Sequence, residues 1–384
     1  MERIIFINQE TGPLLIDMVN VFAKKNVEVF LYTGEVIKTY AELDNKVKIR
    51  GLRRYKKNNN FIRIITWSVF FFQALIFLIL DLKKDTKVWI SSNPPFAPWL
   101  NLFFSNITYV HVYDVYPNAL LALPYIKKES FIYRIFLFFN TIALKRANKI
   151  FTPSSGMKRM LISAVEEEKV IVIPWWADTE FIKPIKKEDN KFIIDNNLQG
   201  KFIVMYSGNF GLTHNLEKLL DTALALKDNN DVKIVIIGDG PKKRVVDTFE
   251  DNYKLENLLV LPFQDEEMLP YSLASSDISI VLDSFASQGQ ESTASIPSKT
   301  YYLMAAGSVI YAESDETSEL NDLINTYELG ICDSSGGTEE LVRFIELCQE
   351  DEDQFKKYKQ NSRKASLSFT KNNANQLYDH IAKV

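Results

Sequence analysis

At 384 residues the chain is long enough for two domains with separate cores, and 46% hydrophobic with 24% charged residues is the balance of a soluble globular protein. Two cysteines, Cys332 and Cys348, exclude a disulfide framework or a Cys-based metal motif and fit a reducing, cytoplasmic compartment. The net charge of −4 hides an asymmetry: residues 1–177 carry 24 Lys+Arg against 14 Asp+Glu, and the remainder carries 21 against 35. A basic front half points to an anionic partner, yet the basic residues cluster beside apolar ones and form no nucleic-acid motif, so no nucleic acid is expected.

The chain opens directly on a short apolar strand, Arg3–Ile7, with no basic region before it, so no secretory signal is expected. Pro13–Lys25 reads as a helix and Val27–Tyr32 as a strand. In the loop before that helix, Gly12 suits either a plain turn or the close approach of an acceptor or a diphosphate. Residues 45–80 contain no acidic residue. Lys46, Lys48, Arg50, Arg53, Arg54, Lys56, Lys57 and Arg63 precede the apolar run Ile64–Leu80, which falls just short of the roughly 20 residues a transmembrane helix needs. A span would also part the first two strands from their sheet. Two readings stay open: a fully buried core helix, the simpler one, or a helix dipping into an anionic membrane surface.

Val88–Ser91, Thr108–Tyr113, Lys149–Thr152 and Val170–Ile173 are further strands, mostly followed by helical patterns. Such alternation implies a parallel sheet covered by helices. Pro174–Pro184 has proline at both ends, no periodicity and a change of charge sign across it, and reads as a linker.

The back half repeats the theme. Phe202–Tyr206, Lys233–Ile237, Leu258–Leu261, Ile278–Leu282 and Ser308–Tyr311 read as strands, with helices at Asn215–Leu226, Lys242–Asn252, Pro297–Ala306 and Asn372–Lys383. In Tyr206–Gly211 (YSGNFG), Gly208 and Gly211 permit a tight turn with free N–H groups. Asn209 and His214 can donate to a diphosphate there, or His214 is an exposed helix-start residue. Gly238 and Gly240 of GDGP turn at a strand's C-terminal edge, where open α/β sheets bind ligands. Phe263 of LPFQ can cover a nucleobase ring. Leu273–Asp283 leads through the polar segment Ser284–Ser295 into PSKTYYLMAAG. There Pro297 and Ser298 are helix-start signals, the serine hydroxyl offering a cap, and Lys299 adds charge where helix amides, near Thr300, already favour an anion. An ordinary amphipathic helix is the competing reading.

The order strand–SGN, strand–GDGP, strand–LPF, LASSD–strand, PSK–helix–AAG resembles the retaining glycosyltransferases of family 4. The branch it most resembles builds capsule, O-antigen and colanic-acid-type polysaccharides, and SSNPP at Ser91–Pro95, YDVYPN at Tyr113–Asn118 and IPWWAD at Ile173–Asp178 match it. The resemblance covers nearly the whole chain. It implies an α/β chain with the GT-B fold, two facing Rossmann-like domains with a cleft between them: 1–177 for the acceptor, 178–367 for the nucleotide sugar, and the last helix, 368–384, packed back on the first domain.

The implied activity moves a hexosyl or N-acetylhexosaminyl unit from a UDP-sugar to a polyprenyl-diphosphate-linked glycan. It runs at the inner face of the cell membrane, with no cofactor and no metal. Donor contacts fall on Gly208, Asn209, His214, Gly238, Gly240, Phe263, Pro297, Ser298, Lys299, Thr300 and Tyr302, with Lys299 also stabilising the leaving diphosphate. Acceptor contacts fall on Gly12, Asn93 and Asp114. Asp114 either positions the acceptor hydroxyl or caps the YPN turn; His111 is either catalytic or a core histidine. The chain departs from the family where an Arg and a Lys grip the diphosphate, since Asn209 and His214 stand there. Two family glutamates are replaced by Ala294 and Tyr302. A catalytically inactive partner subunit and a nucleotide-sugar epimerase of the same fold are the competing functions.

Overall fold

The computed structural model describes residues 2–56, 59–122, 126–282 and 293–382, so Lys57, Asp283 and most of the Ser284–Ser295 segment lie outside the described residues. The chain divides into two compact units, Met1–Trp175 with Lys371–Val384, and Trp176–Thr370.

The first unit is built on strands β1 (Arg3–Ile7), β2 (Glu10–Thr11), β3 (Glu28–Thr33), β4 (Glu35–Val36), β5 (Lys48–Gly51), β6 (Thr86–Ser91), β7 (Thr108–His111), β8 (Lys149–Thr152) and β9 (Val170–Val172). Seven of them form a wholly parallel sheet in the order β5-β3-β1-β6-β7-β8-β9, and β2 and β4 pair separately. Helices α1 (Pro13–Lys24), α2 (Asn60–Asp81), α3 (Phe131–Arg146) and α4 (Ser155–Leu161) cover it. β5 runs through the basic stretch that shows no strand pattern in the sequence. Two of its basic side chains are neutralised locally, Lys48 by Glu28 at 2.7 Å and Arg50 by Asp81 at 2.5 Å.

α2 starts where Asn59 Oδ1 accepts the Ile62 N–H at 2.8 Å, an Asn cap on an otherwise apolar helix. Its inner stripe, Thr66, Phe70, Phe71, Ala74 and Leu78, is buried, and the phenylalanines, Ala74 and Leu78 pack with Ile5, Ile7, Val88 and Ile90 of the sheet. The fully buried reading of this helix fails. A helix on one face of a sheet buries a single stripe, and Phe61, Phe72, Ile79 and Leu80 on the other side are 60% to 72% exposed.

The second unit contains β10 (Phe202–Asn209), β11 (Val232–Asp239), β12 (Leu258–Leu261), β13 (Ile278–Leu282), β14 (Val309–Glu313) and β15 (Gly330–Asp333). They form a parallel sheet in the order β12-β11-β10-β13-β14-β15. Its helices are α5 (Lys191–Asp195), α6 (Leu216–Ala225), α7 (Lys243–Tyr253), α8 (Leu269–Ser275), α9 (Lys299–Ala306), α10 (Glu319–Tyr327), α11 (Glu339–Glu350) and α12 (Glu352–Ser366). A last helix, α13 (Asn372–Ala382), belongs to the first unit, where Tyr378 meets Phe22 of α1 edge-on at 5.0 Å and Asn373 donates to the Pro174 carbonyl at 3.0 Å.

Strand order in the second sheet reverses between β10 and β13. Such a switch point opens a crevice at the strands' carboxyl ends, because the flanking connections leave in opposite directions. One buried cation fixes the loops there. Lys218 of α6 is 2% exposed, lies 3.2 Å from Glu313 at the end of β14, and donates to Asp333 at the end of β15. Asp333 also accepts from Tyr311, and Asn215, just before α6, donates to Glu313 at 3.2 Å. Burial works against the Asp333 charge, but the bonds from Lys218, Ser335 and Tyr311 outweigh it and hold the carboxyl down at about 2.

Lys218→Met removes the cation and leaves two buried carboxylates, so it should destabilise the second unit by about 3–5 kcal/mol. Urea unfolding followed by tyrosine and tryptophan fluorescence measures this. Asp333 has a folded-state value below its ordinary 3.8, so its contribution is present above that pH and lost as pH falls through about 2. The gap between parent and variant should therefore narrow across that acidic range.

Candidate functional site

The donor-side candidates gather at the switch point of the second sheet. β10 runs three residues further than its apolar pattern predicts, so Gly208 and Asn209 are paired strand residues, in register with Gly238 and Asp239 of β11. Gly208 therefore does not form the expected turn; the ladder continues because its partner strand ends in glycine too. Gly238 has φ +152°, and a Cβ there would lie 1.9 Å from the Gly208 carbonyl oxygen. Gly240 has φ +150°, and a Cβ there would lie 2.8 Å from the Phe210 backbone. Only glycine permits two strand ends to run this close.

Tyr206 is the hub of this edge. Its hydroxyl donates to the Asn209 carbonyl at 2.7 Å, and His214 Nδ1 lies 2.9 Å from both that hydroxyl and that carbonyl. Lys299 Nζ stands 4.2 Å from the centre of the Tyr206 ring, a cation–π contact that brings the start of α9 to the end of β10. A Cβ added to Gly208 would lie 3.4 Å from Lys299 Nζ, so the ammonium rests over the bare backbone of Gly208. Gly208, Asn209, His214 and Lys299 thus form one cluster. The sequence marks Tyr206 only as the last apolar residue before a glycine, which is why its role is not legible there.

The hydrogen bonds assign the His214 tautomer. Tyr206 spends its proton on Asn209, so two oxygen acceptors converge on Nδ1, which must carry the hydrogen. In the neutral ring Nε2 is then bare. His214 can donate to a phosphate through Nε2 only as imidazolium, which corrects the expectation of a simple donor. Burial lowers its pKa, with the positive charges of Lys299 and then Lys242 acting the same way, while the bond to Asn209 works against them. Lys242 also holds the loop in place, donating to the His214 carbonyl at 2.8 Å.

The start of α9 differs in detail from the sequence reading. Ser298 itself has helical angles, φ −57° and ψ −30°, and makes no side-chain cap bond. A capping hydroxyl needs an extended backbone at that residue. Pro297 lies before the helix, and its carbonyl accepts the Thr300 N–H at 2.9 Å, so that amide is occupied and not open to an anion. Thr300 is buried and Tyr302 half-buried on the same helix. The far end of α9 is closed by Gly307 at φ +76° and by Arg363, which donates to the Ala305 carbonyl at 3.1 Å. Phe263 stands beyond the edge strand β12 and is 55% exposed.

The acceptor-side candidates lie at the carboxyl edge of the first sheet. Asn93 follows β6, and its carbonyl accepts the Gln9 N–H from the loop after β1 at 3.0 Å. Ser92 links this loop to the next, donating its N–H to the His111 carbonyl and accepting the Tyr113 N–H at 2.9 Å. Asp114 is exposed and has no partner among the described residues, so it does not cap the YPN turn. Gly12 precedes α1 in extended backbone, and a Cβ there would meet only Ile37 at 4.0 Å, so local geometry does not require glycine.

His111 is 1% exposed, boxed by Trp89, Tyr113 and Trp175 at 4.7 to 5.4 Å, and burial pushes its imidazole down to about 3. Its surroundings are those of a core histidine, and burial favours the neutral ring.

Comparison with known proteins agrees with this geometry. Residues 187–365 match the family described as Glycosyl transferases group 1. The chain is 26% identical over 294 residues to the probable glycosyltransferase WbjE of Pseudomonas aeruginosa, covering 73% of this chain and 71% of that protein. It is 25% identical over 247 residues to the putative colanic acid biosynthesis glycosyl transferase WcaI of Escherichia coli (strain K12), covering 62% of this chain and 59% of that protein. Among solved structures, Anabaena HepE in complex with UDP superposes with a TM-score of 0.73 at 14% identity, covering 100% of both chains. Residues 187–365 are therefore similar to the Glycosyl transferases group 1 family, and the two parallel-sheet units have the GT-B fold.

Proposed function

We propose that the chain is a metal-independent, retaining glycosyltransferase that moves a hexosyl or N-acetylhexosaminyl unit from a UDP-sugar to a polyprenyl-diphosphate-linked glycan at the inner face of the cell membrane. The observation that carries this reading is the convergence of Lys299, His214 and Asn209 on Tyr206 at the sheet's switch point, with the Lys299 ammonium over the bare backbone of Gly208. Departure of a nucleoside diphosphate builds negative charge, and a preorganised ammonium beside a helix start stabilises that charge without solvent rearrangement. HepE, a neighbour in fold, is solved with UDP, which supports uridine as the base. Phe263 offers an exposed ring for that base. Asp114, exposed and unpaired among the described residues, is the group proposed to orient the acceptor hydroxyl.

An epimerase of the same fold needs a proton-carrying pair, and His111 is buried and neutral. Incubating the full chain with UDP-sugars and a farnesyl-diphosphate-linked sugar tests the proposal. UDP release with a product of unchanged anomeric configuration supports it. UDP binding without transfer to any such acceptor assigns the chain to the inactive-partner reading instead.

Lys299→Ala should lower turnover about a hundredfold while the melting temperature stays close to the parent's. Asp114→Asn should reduce transfer and leave UDP affinity, measured by calorimetry, unchanged. UDP affinity should also gain a pH dependence from His214. A bound diphosphate stabilises the imidazolium, raising a pKa that is low in the free protein, so binding takes up a proton and tightens as pH falls. In His214→Gln this proton uptake, read as the dependence of binding heat on buffer ionisation, should vanish.

A further inference from the structure

The first unit contains an apolar groove of about 820 Å³ between α2, the segment that follows β6, and α3. Its walls are largely aromatic, including Trp67, Phe71, Phe96, Trp99, Tyr116 and Phe136, and no carboxylate among the described residues lines it. A volume of this size lies within the usual range of roughly 300–1,000 Å³ for small-ligand sites. Phe72 of α2 and Ile132 of α3 line it and are 60% and 63% exposed, and Phe138 of α3 is 60% exposed. A soluble surface rarely leaves so much contiguous apolar area uncovered.

Charge at one end of the groove identifies the occupant. Arg63, on the first turn of α2, lines the groove beside Asn60, with its guanidinium 5.2 Å from the Trp67 ring. Its Nε is buried and has no hydrogen-bond partner among the described residues. Arg53 and Lys56, on the chain leading to α2, have no carboxylate partner among the described residues either. The end of the groove thus favours an anion, with the α2 N-terminus adding to the same sign. The groove adjoins the acceptor-side loops in sequence. Its wall residues Pro95 and Phe96 come two and three positions after Asn93, and Tyr116 comes two after Asp114.

We infer that this groove holds the isoprenoid chain of the acceptor lipid, with Arg63 taking its phosphate and the linked sugar lying toward Asp114. The inference rests on the lipid-linked acceptor proposed above. A branched, unsaturated chain suits an aromatic wall, since methyl groups and double bonds pack against ring faces.

The test titrates the full chain with geranylgeranyl phosphate, geranylgeraniol and hexadecyl phosphate, read by tryptophan fluorescence, with UDP binding measured on the same samples. Saturable binding of geranylgeranyl phosphate is expected, weakened about tenfold in Arg63→Gln and restored in Arg63→Lys, while geranylgeraniol is indifferent to both changes. Ser68→Phe, which fills the groove, should weaken both isoprenoids. Absence of saturable binding, equal binding of hexadecyl phosphate, or insensitivity to both the Arg63→Gln and the Ser68→Phe changes overturns the inference. So does self-association in light scattering that Ser68→Phe abolishes, since a second copy would then be the occupant. If UDP binds and the isoprenoid phosphate does not, the groove assignment alone fails; if neither binds, the glycosyltransferase reading fails with it.

Discussion

The second unit turns on a single buried ammonium. Lys218 sits where no water reaches and holds two carboxylates from adjacent strands, so the ends of β14 and β15 and the first turns of α6 move together. Two buried carboxylates without that cation would repel each other in a medium of low polarisability, and the loop ahead of α6 would lose its anchor at Asn215. His214 occupies that loop. The geometry of the cluster from Tyr206 through Asn209 to His214 is therefore set from behind by the Lys218 ion cluster. Such a support gives geometric precision at a site whose own residues are polar and half-exposed.

The candidate site has a lysine and a histidine on one tyrosine. The Lys299 ammonium rests on the Tyr206 ring and over the Gly208 backbone. Burial and the Lys299 charge lower the His214 pKa and so favour the neutral ring in the free protein. Under the proposed function, a bound diphosphate would oppose that shift and favour the imidazolium.

Much of the architecture was legible because both sheets are parallel and buried. Lys149–Thr152, Leu258–Leu261 and Ile278–Leu282 have the same limits in sequence and structure, since a short apolar run between turn residues has few other solutions. The apolar pattern ends β10 and β11 short, because Gly208 and Gly238 look like turn residues when the strand opposite is unknown. β5 carries no such signal, since an edge strand with paired basic side chains has no apolar alternation. The order of motifs marks Lys299, Asn209 and His214 as candidates, but not their common contact with Tyr206. Lys218 was invisible: on an amphipathic helix a lysine reads as a surface residue, and only the carboxylates more than 90 positions away reveal otherwise. The half-exposure of α2 was equally hidden, because an apolar sequence does not say which of its faces meets a sheet.

The placement of α13 has a consequence for how the chain is made. The second unit is a continuous insertion, Trp176–Thr370, whose ends are tied by a hydrogen bond from the Ala177 N–H to the Phe369 carbonyl at 3.1 Å. The first unit is split and includes α13, which is encoded after the whole of the second unit. Synthesis delivers domains from the amino terminus onward, so here the later-encoded unit can complete its core first. Until α13 docks against Phe22 and Lys149, the earlier-encoded unit waits unfinished, with the apolar face of α1 uncovered. Truncation within the last dozen residues would therefore damage the half of the protein encoded first.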